Sequence, residues 1–90
     1  MAMETPSMKE NQFAVGKAEY ATGHVLRNDG TIYSSGQDIN EMYEVFDNYI
    51  EARDFTIQLI GQKPTIECWI IDGNGNHINT YDKNGERKFS

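Results

Sequence analysis

Asp72, Asn74 and Asn76 stand at the spacing of the first three oxygen ligands of a calcium-binding loop, where alternating carboxylates and amides wrap a hard cation. The rest of that motif fails. The sixth position is His77 where glycine makes the sharp turn, and the twelfth is Lys83 where a bidentate glutamate closes the shell. Strand-forming residues also precede the loop where a helix belongs. Asp72-Gly73-Asn74-Gly75-Asn76 is therefore expected to be a hairpin turn, echoed ten residues later by Asp82-Lys83-Asn84-Gly85-Glu86.

His24, Cys68 and His77 are side chains of the kind that hold zinc, but no two of them lie at the short interval that places a ligand pair on one turn or helix. No metal site and no cofactor are expected. Cys68, the single cysteine, excludes an internal disulfide and reads as a small core residue. Ser34-Ser35-Gly36 lacks the Gly-x-Ser-x-Gly elbow that presents a nucleophile. Neither a P-loop nor a dinucleotide-type glycine pattern is present. Carboxylates are plentiful, but they recur at helical spacing on a segment expected to be solvated, where nothing shifts their pKa values toward acid or base work. The chain is read as non-enzymatic.

Charge and aromatic surface remain. Asp38, Glu41, Glu44, Asp47, Glu51 and Asp54 are balanced by Arg53 alone, so residues 38–54 carry -5 of the net -6. Without a basic cluster, nucleic-acid binding is disfavoured. An acidic face suits a basic protein partner, although a solvated outer helix face is the simpler reading of the same pattern.

The elements that position these residues follow from periodicity. Residues 1–12 are polar, contain Pro6 and lack the apolar core of a secretory signal, so they are expected to be a disordered leader. Residues 13–90 are expected to form a single α+β domain. No run approaches the roughly 20 apolar residues of a membrane span, and the cytoplasm is the default location. Phe13, Val15, Ala18 and Tyr20 suggest a short strand weakened by Gly16. Residues 23–27 and 31–34 flank Asn28-Asp29-Gly30 as a β-hairpin.

Residues 38–60 admit two readings. In one, Asp38 caps a single helix with Glu41 as the capping-box partner, and all six acids share its outer face. In the other, Tyr43-Glu44-Val45-Phe46 is a strand and Asn48 begins a shorter helix, with Glu51 as the capping partner. The second is preferred for the density of Tyr43, Val45 and Phe46. Both end at Gly61, with Pro64 just beyond. The strand, helix, strand order from Val45 to Trp69 resembles that of many small bacterial domains, a likeness of architecture that transfers no function.

Residues 65–71 make the strongest strand, with Ile66, Cys68 and Ile70 on one face and Glu67, Trp69 and Ile71 on the other. Residues 77–81 and 86–89 complete a meander. If the helix covers the Cys68 face, Trp69 and Ile71 need another cover: the N-terminal strand, the meander carrying Tyr81 and Phe89, or a second subunit. Trp69, Ile71 and Tyr81 are therefore the candidate interaction surface.

The expected fold is α+β, a strongly curved antiparallel β-sheet of four to six strands with one main α-helix packed on one face. The leading functional expectation is a protein-interaction module, homodimeric through the open sheet face. Two alternatives stand beside it. One is an acidic inhibitor or immunity-type protein that engages a basic target through Asp38, Glu41, Glu44, Asp47, Glu51 and Asp54. The other is a small-ligand-binding domain with a pocket between helix and sheet lined by Tyr33, Tyr43 and Tyr49.

Overall fold

Alternation in the strand Ile66–Asp72 organises the molecule: Ile66, Cys68 and Ile70 belong to one buried cluster, while Trp69 and Ile71 belong to another on the opposite face. The computed structural model describes residues 5–34 and 36–88. Six strands occur, β1 (Phe13–Glu19), β2 (Val25–Leu26), β3 (Tyr43–Phe46), β4 (Ile66–Asp72), β5 (His77–Asp82) and β6 (Gly85–Lys88). One helix, α1 (Tyr49–Gln62), follows β3, and a single 3-10 turn (Ile39–Glu41) precedes it.

All pairings are antiparallel in the order β2-β1-β4-β5-β6, and β3 shares the outer edge of β1 with β2. This is the expected α+β fold, an open antiparallel sheet with one helix against it. The helix lies over Val15, Cys68, Ile70 and Tyr81, burying its own Ala52, Thr56 and Ile60.

Helix α1 starts where the shorter reading places it. Asn48 has an extended backbone, and its side chain accepts a hydrogen bond from the Glu51 amide at 2.9 Å. Asp38 caps as well, but only the 3-10 turn, accepting from the Asn40 amide at 3.0 Å. The stop differs from expectation. Gly61 lies inside the last turn, and the helix runs on to Gln62, with the Lys63 amide donating to the Leu59 carbonyl at 2.8 Å. Pro64 is the terminator: its ring disfavours helical backbone at Lys63, which sits at φ -133° and ψ 79°.

The first hairpin forms only in part. Its turn is closed by the Gly30 amide on the Arg27 carbonyl, with Gly30 at φ 91°, but the second arm adds just one bridge, Leu26 to Ile32. The meander forms fully over the described residues. In its first turn Asp72 Oδ1 accepts from the Asn74 and Asn76 amides, each at 2.9 Å, as a hairpin turn requires. Phe89 lies outside the described residues, as does Ser35.

The second face of the sheet is covered from within the chain. Ala14, Tyr43 and Ile71 are buried there, packed by Met8, Ile39, Met42 and Trp69. The cover comes from the 3-10 turn and the segment before β1, whereas β1 and the meander lie in the sheet itself. Residues 1–4 of the expected leader lie outside the described residues. Residues 5–12 have no regular secondary structure, but the Ser7 amide donates to Asn40 Oδ1 at 2.7 Å. A Cβ at Gly73 would overlap the Glu10 backbone, so glycine permits that close approach. Among the described residues no helix is long and apolar enough to cross a membrane.

Candidate functional site

Period-two alternation along β1 puts Lys17 in phase with Phe13 and Val15, on the side that faces the helix. It is only 5% exposed. Lysine is seldom buried so far without a partner, and here Nζ donates to Asn28 Oδ1 at 2.6 Å. Asn28 is held in the orientation that makes this possible. Its Nδ2 donates to the Tyr43 carbonyl at 2.9 Å and the Asn40 carbonyl at 3.3 Å, which leaves Oδ1 for Lys17.

Glu44 pairs with Val15, and so stands diagonally across from Lys17 on the same face of the sheet. Burial pushes the Lys17 ammonium below the ordinary lysine value, opposed by the charge of Glu44 and then by Cys68. Cys68, directly opposite Lys17 in β4, is pushed up to about 12 by burial, with the Lys17 charge working against the shift. At neutral pH this thiol is protonated and no nucleophile.

Lys17 lies at a cavity of about 370 Å³ between the C-terminal half of α1 and the sheet, where β2 and β3 meet along the edge of β1. Leu26, Phe55, Leu59 and Ile66 give it apolar walls. The charged lining is balanced among the described residues: Lys17, Arg27 and Lys63 against Glu19, Asp29 and Glu44. Eight of its thirteen lining residues are charged or polar, so it is a mixed pocket of small-molecule size.

A second polar cluster holds the other end of the helix. Tyr49 and Tyr81 hydroxyls lie 3.1 Å apart, and Asn79 Nδ2 donates to Tyr49 at 2.6 Å and to Glu86 at 2.8 Å. Burial raises the Tyr81 pKa, reinforced by the Tyr49 hydrogen bond and the nearby Glu86. The cluster ties the first turn of α1 to β5 and β6.

The residues singled out from sequence are dispersed. Trp69 and Ile71 do share a face, but Ile71 is fully buried, and Trp69 is partly buried with Nε1 donating to the Tyr43 hydroxyl at 3.2 Å. Tyr81 pairs with Cys68, and so faces the helix on the opposite side of the sheet. The acids do not share one helix. Asp38 caps the 3-10 turn, Glu41 lies 3.9 Å from Arg27, Glu44 lines the cavity, and Asp47 accepts from Gln12 at 2.9 Å. Glu51 and Asp54 alone stand exposed on the outer face of α1. None of Tyr33, Tyr43 and Tyr49 lines the cavity.

His24 is exposed beside Glu19 at 3.6 Å, while His77 contacts Thr80 on the Trp69 side of the sheet. No group of three or more His, Cys, Asp or Glu able to hold a metal ion occurs among the described residues.

Lys17 and Asn28 escaped the sequence reading, and the signal for Lys17 was available. Carrying the Phe13 and Val15 alternation one step further places a lysine inward, whereas including Ala18 and Tyr20 in that face breaks the phase. Asn28 carried no signal beyond its place in a turn. Comparison with protein-family models, with curated proteins and with solved structures returns no match for this chain.

Proposed function

We propose that the protein binds a small molecule with an apolar body and one polar head, seated in the cavity under α1 with its head on Lys17. The observation that carries this reading is a lysine 5% exposed at an apolar-walled cavity. A buried ammonium is costly. Replacing such a charge with apolar side chains is often neutral or stabilising, so a lysine here favours a role in recognition over one in stability. The equal numbers of acids and bases around it suit an uncharged ligand body.

The homodimer expectation rested on an uncovered Trp69 and Ile71, and residues of the same chain pack on both. The inhibitor expectation rested on six acids sharing one face, which the strand β3 divides. Neither premise supports its reading as well as Lys17 supports ligand binding.

Thermal-shift and NMR screening of a fragment set against the wild type and Lys17→Met tests the proposal. Hits should perturb resonances of Phe55, Leu59 and Ile66 and lose at least about tenfold in affinity in the variant, the loss of one charge-assisted contact. Equal binding to both proteins, or perturbations confined to other surfaces, would overturn it.

A further inference from the structure

We infer that Lys17 is placed to hold a carbonyl compound, an aldehyde or ketone with an apolar body, as a reversible imine. This rests on the ligand-binding reading above and deepens it by naming the ligand's reactive group.

Three features converge. The Lys17 nitrogen is fixed by Asn28, whose own amide is locked on two backbone carbonyls, so the amine is presented in one place. Asn28 Oδ1 takes an N–H in either protonation state, which leaves the lone pair of the neutral amine available for attack. Lys17 is 5% exposed, and a desolvated lysine is the usual nucleophile toward carbonyl carbon. Glu44, on the same face and also lining the cavity, is the acid–base partner.

The step balances without any further reagent. The amine lone pair forms a bond to the carbonyl carbon as the C=O π pair moves to oxygen, and a proton passes from nitrogen to that oxygen to give a carbinolamine. Glu44, having taken the proton that the Lys17 ammonium sheds to become the free amine, delivers it to the hydroxyl, which leaves as water while the nitrogen lone pair closes the C=N bond. The iminium N–H proton returns to Glu44. The sum is amine plus carbonyl giving imine plus water, with nothing oxidised or reduced, and hydrolysis reverses it.

The charges around the nitrogen allow this. Glu19 lies on the same strand, Arg27 and Asp29 on the turn, Glu44 on β3 and Lys63 at the end of α1, while Cys68 on β4 is protonated at neutral pH. Burial lowers the Lys17 pKa, so more of this amine is neutral at a given pH than for a solvated lysine. An uncharged carbonyl compound brings no charge into a lining already balanced.

The experiment treats the full chain with benzaldehyde and sodium cyanoborohydride at neutral pH and maps the adduct by peptide mass, with benzyl alcohol as the unreactive isostere followed by NMR. A single benzyl adduct should appear on Lys17 before Lys9, Lys63 or Lys83, and Glu44→Gln should slow its formation relative to the adducts on those lysines. Lys17→Arg should abolish that adduct. Benzyl alcohol or benzaldehyde that perturbs Phe55 and Leu59 without an adduct on Lys17, or with one no faster than on the surface lysines, overturns the imine and leaves ligand binding standing. No perturbation at the cavity by any carbonyl compound, alcohol or carboxylate fragment overturns both.

Discussion

Lys17 is a buried charge whose titration bears directly on stability. Its folded-state pKa lies below the unfolded value of 10.5. Between those two values the unfolded chain holds a proton that the folded chain has released, so stability rises with pH through that window, and below it the buried ammonium is a constant penalty. Cys68 acts with the opposite sign. Its folded pKa of about 12 exceeds the unfolded 9.0, so its contribution is intact below 9.0 and is lost as pH rises from there. Chemical denaturation carried up to about pH 10.5, the unfolded lysine value, should therefore show the wild type gaining on Lys17→Met as that pH is approached. At neutral pH the two should differ by less than about 2 kcal/mol. Relief of ammonium burial is then set against the Asn28 acceptor left without its donor. A variant that tracks the wild type at every pH would remove Lys17 as a perturbed group.

At the scale of elements, the helix shows how local chemistry can be read and where it misleads. The Asn48 cap was legible because a short polar side chain three residues before a glutamate, at the foot of an amphipathic run, satisfies an otherwise unpaired amide. Asn48→Ala should cost about 1 kcal/mol, read as a fall in the denaturant midpoint at unchanged slope. An unchanged midpoint would mean that packing of Tyr49 and Phe55 alone fixes the start. The helix stop was misjudged because glycine is a frequent terminator, whereas here the restriction that Pro64 places on Lys63 acts first.

Strand β4 was legible on both faces because its alternation is unbroken, and the meander because Asp72 and Asp82 each begin a turn that their own carboxylates close. The cavity was not legible. Its residues come from β1, β2, β3, α1, β4 and a turn, and no short-range pattern in the chain reports which of them converge. The tyrosines proposed to line it were chosen for chemistry alone; hydrogen bonding draws Tyr49 to Tyr81 and Tyr43 to Trp69 instead.

For the molecule as a whole, one helix cannot cover both faces of a six-stranded sheet, and on the second face Met8, Ile39, Met42 and Trp69 pack over Ala14, Tyr43 and Ile71. The indole leaves no room beneath it: a Cβ on Gly16 would overlap Trp69 Cε2 and Cζ2. Removing residues 1–9 should therefore uncover apolar surface and shift Trp69 emission to the red. Exposed patches of this kind drive association, so sedimentation should show a rise in self-association with concentration. A truncated chain with unchanged emission that sediments as the full chain does would show that the 3-10 turn alone is a sufficient cover.

Asn40 gives that cover a further significance. Its side chain accepts from the Ser7 amide, and its carbonyl accepts from Asn28, which holds Lys17. A continuous run of hydrogen bonds passes from Lys17, round the edge of the sheet, to the segment before β1. The two sides of the sheet, separated by a layer of backbone, are thus joined by three hydrogen bonds made by two asparagines.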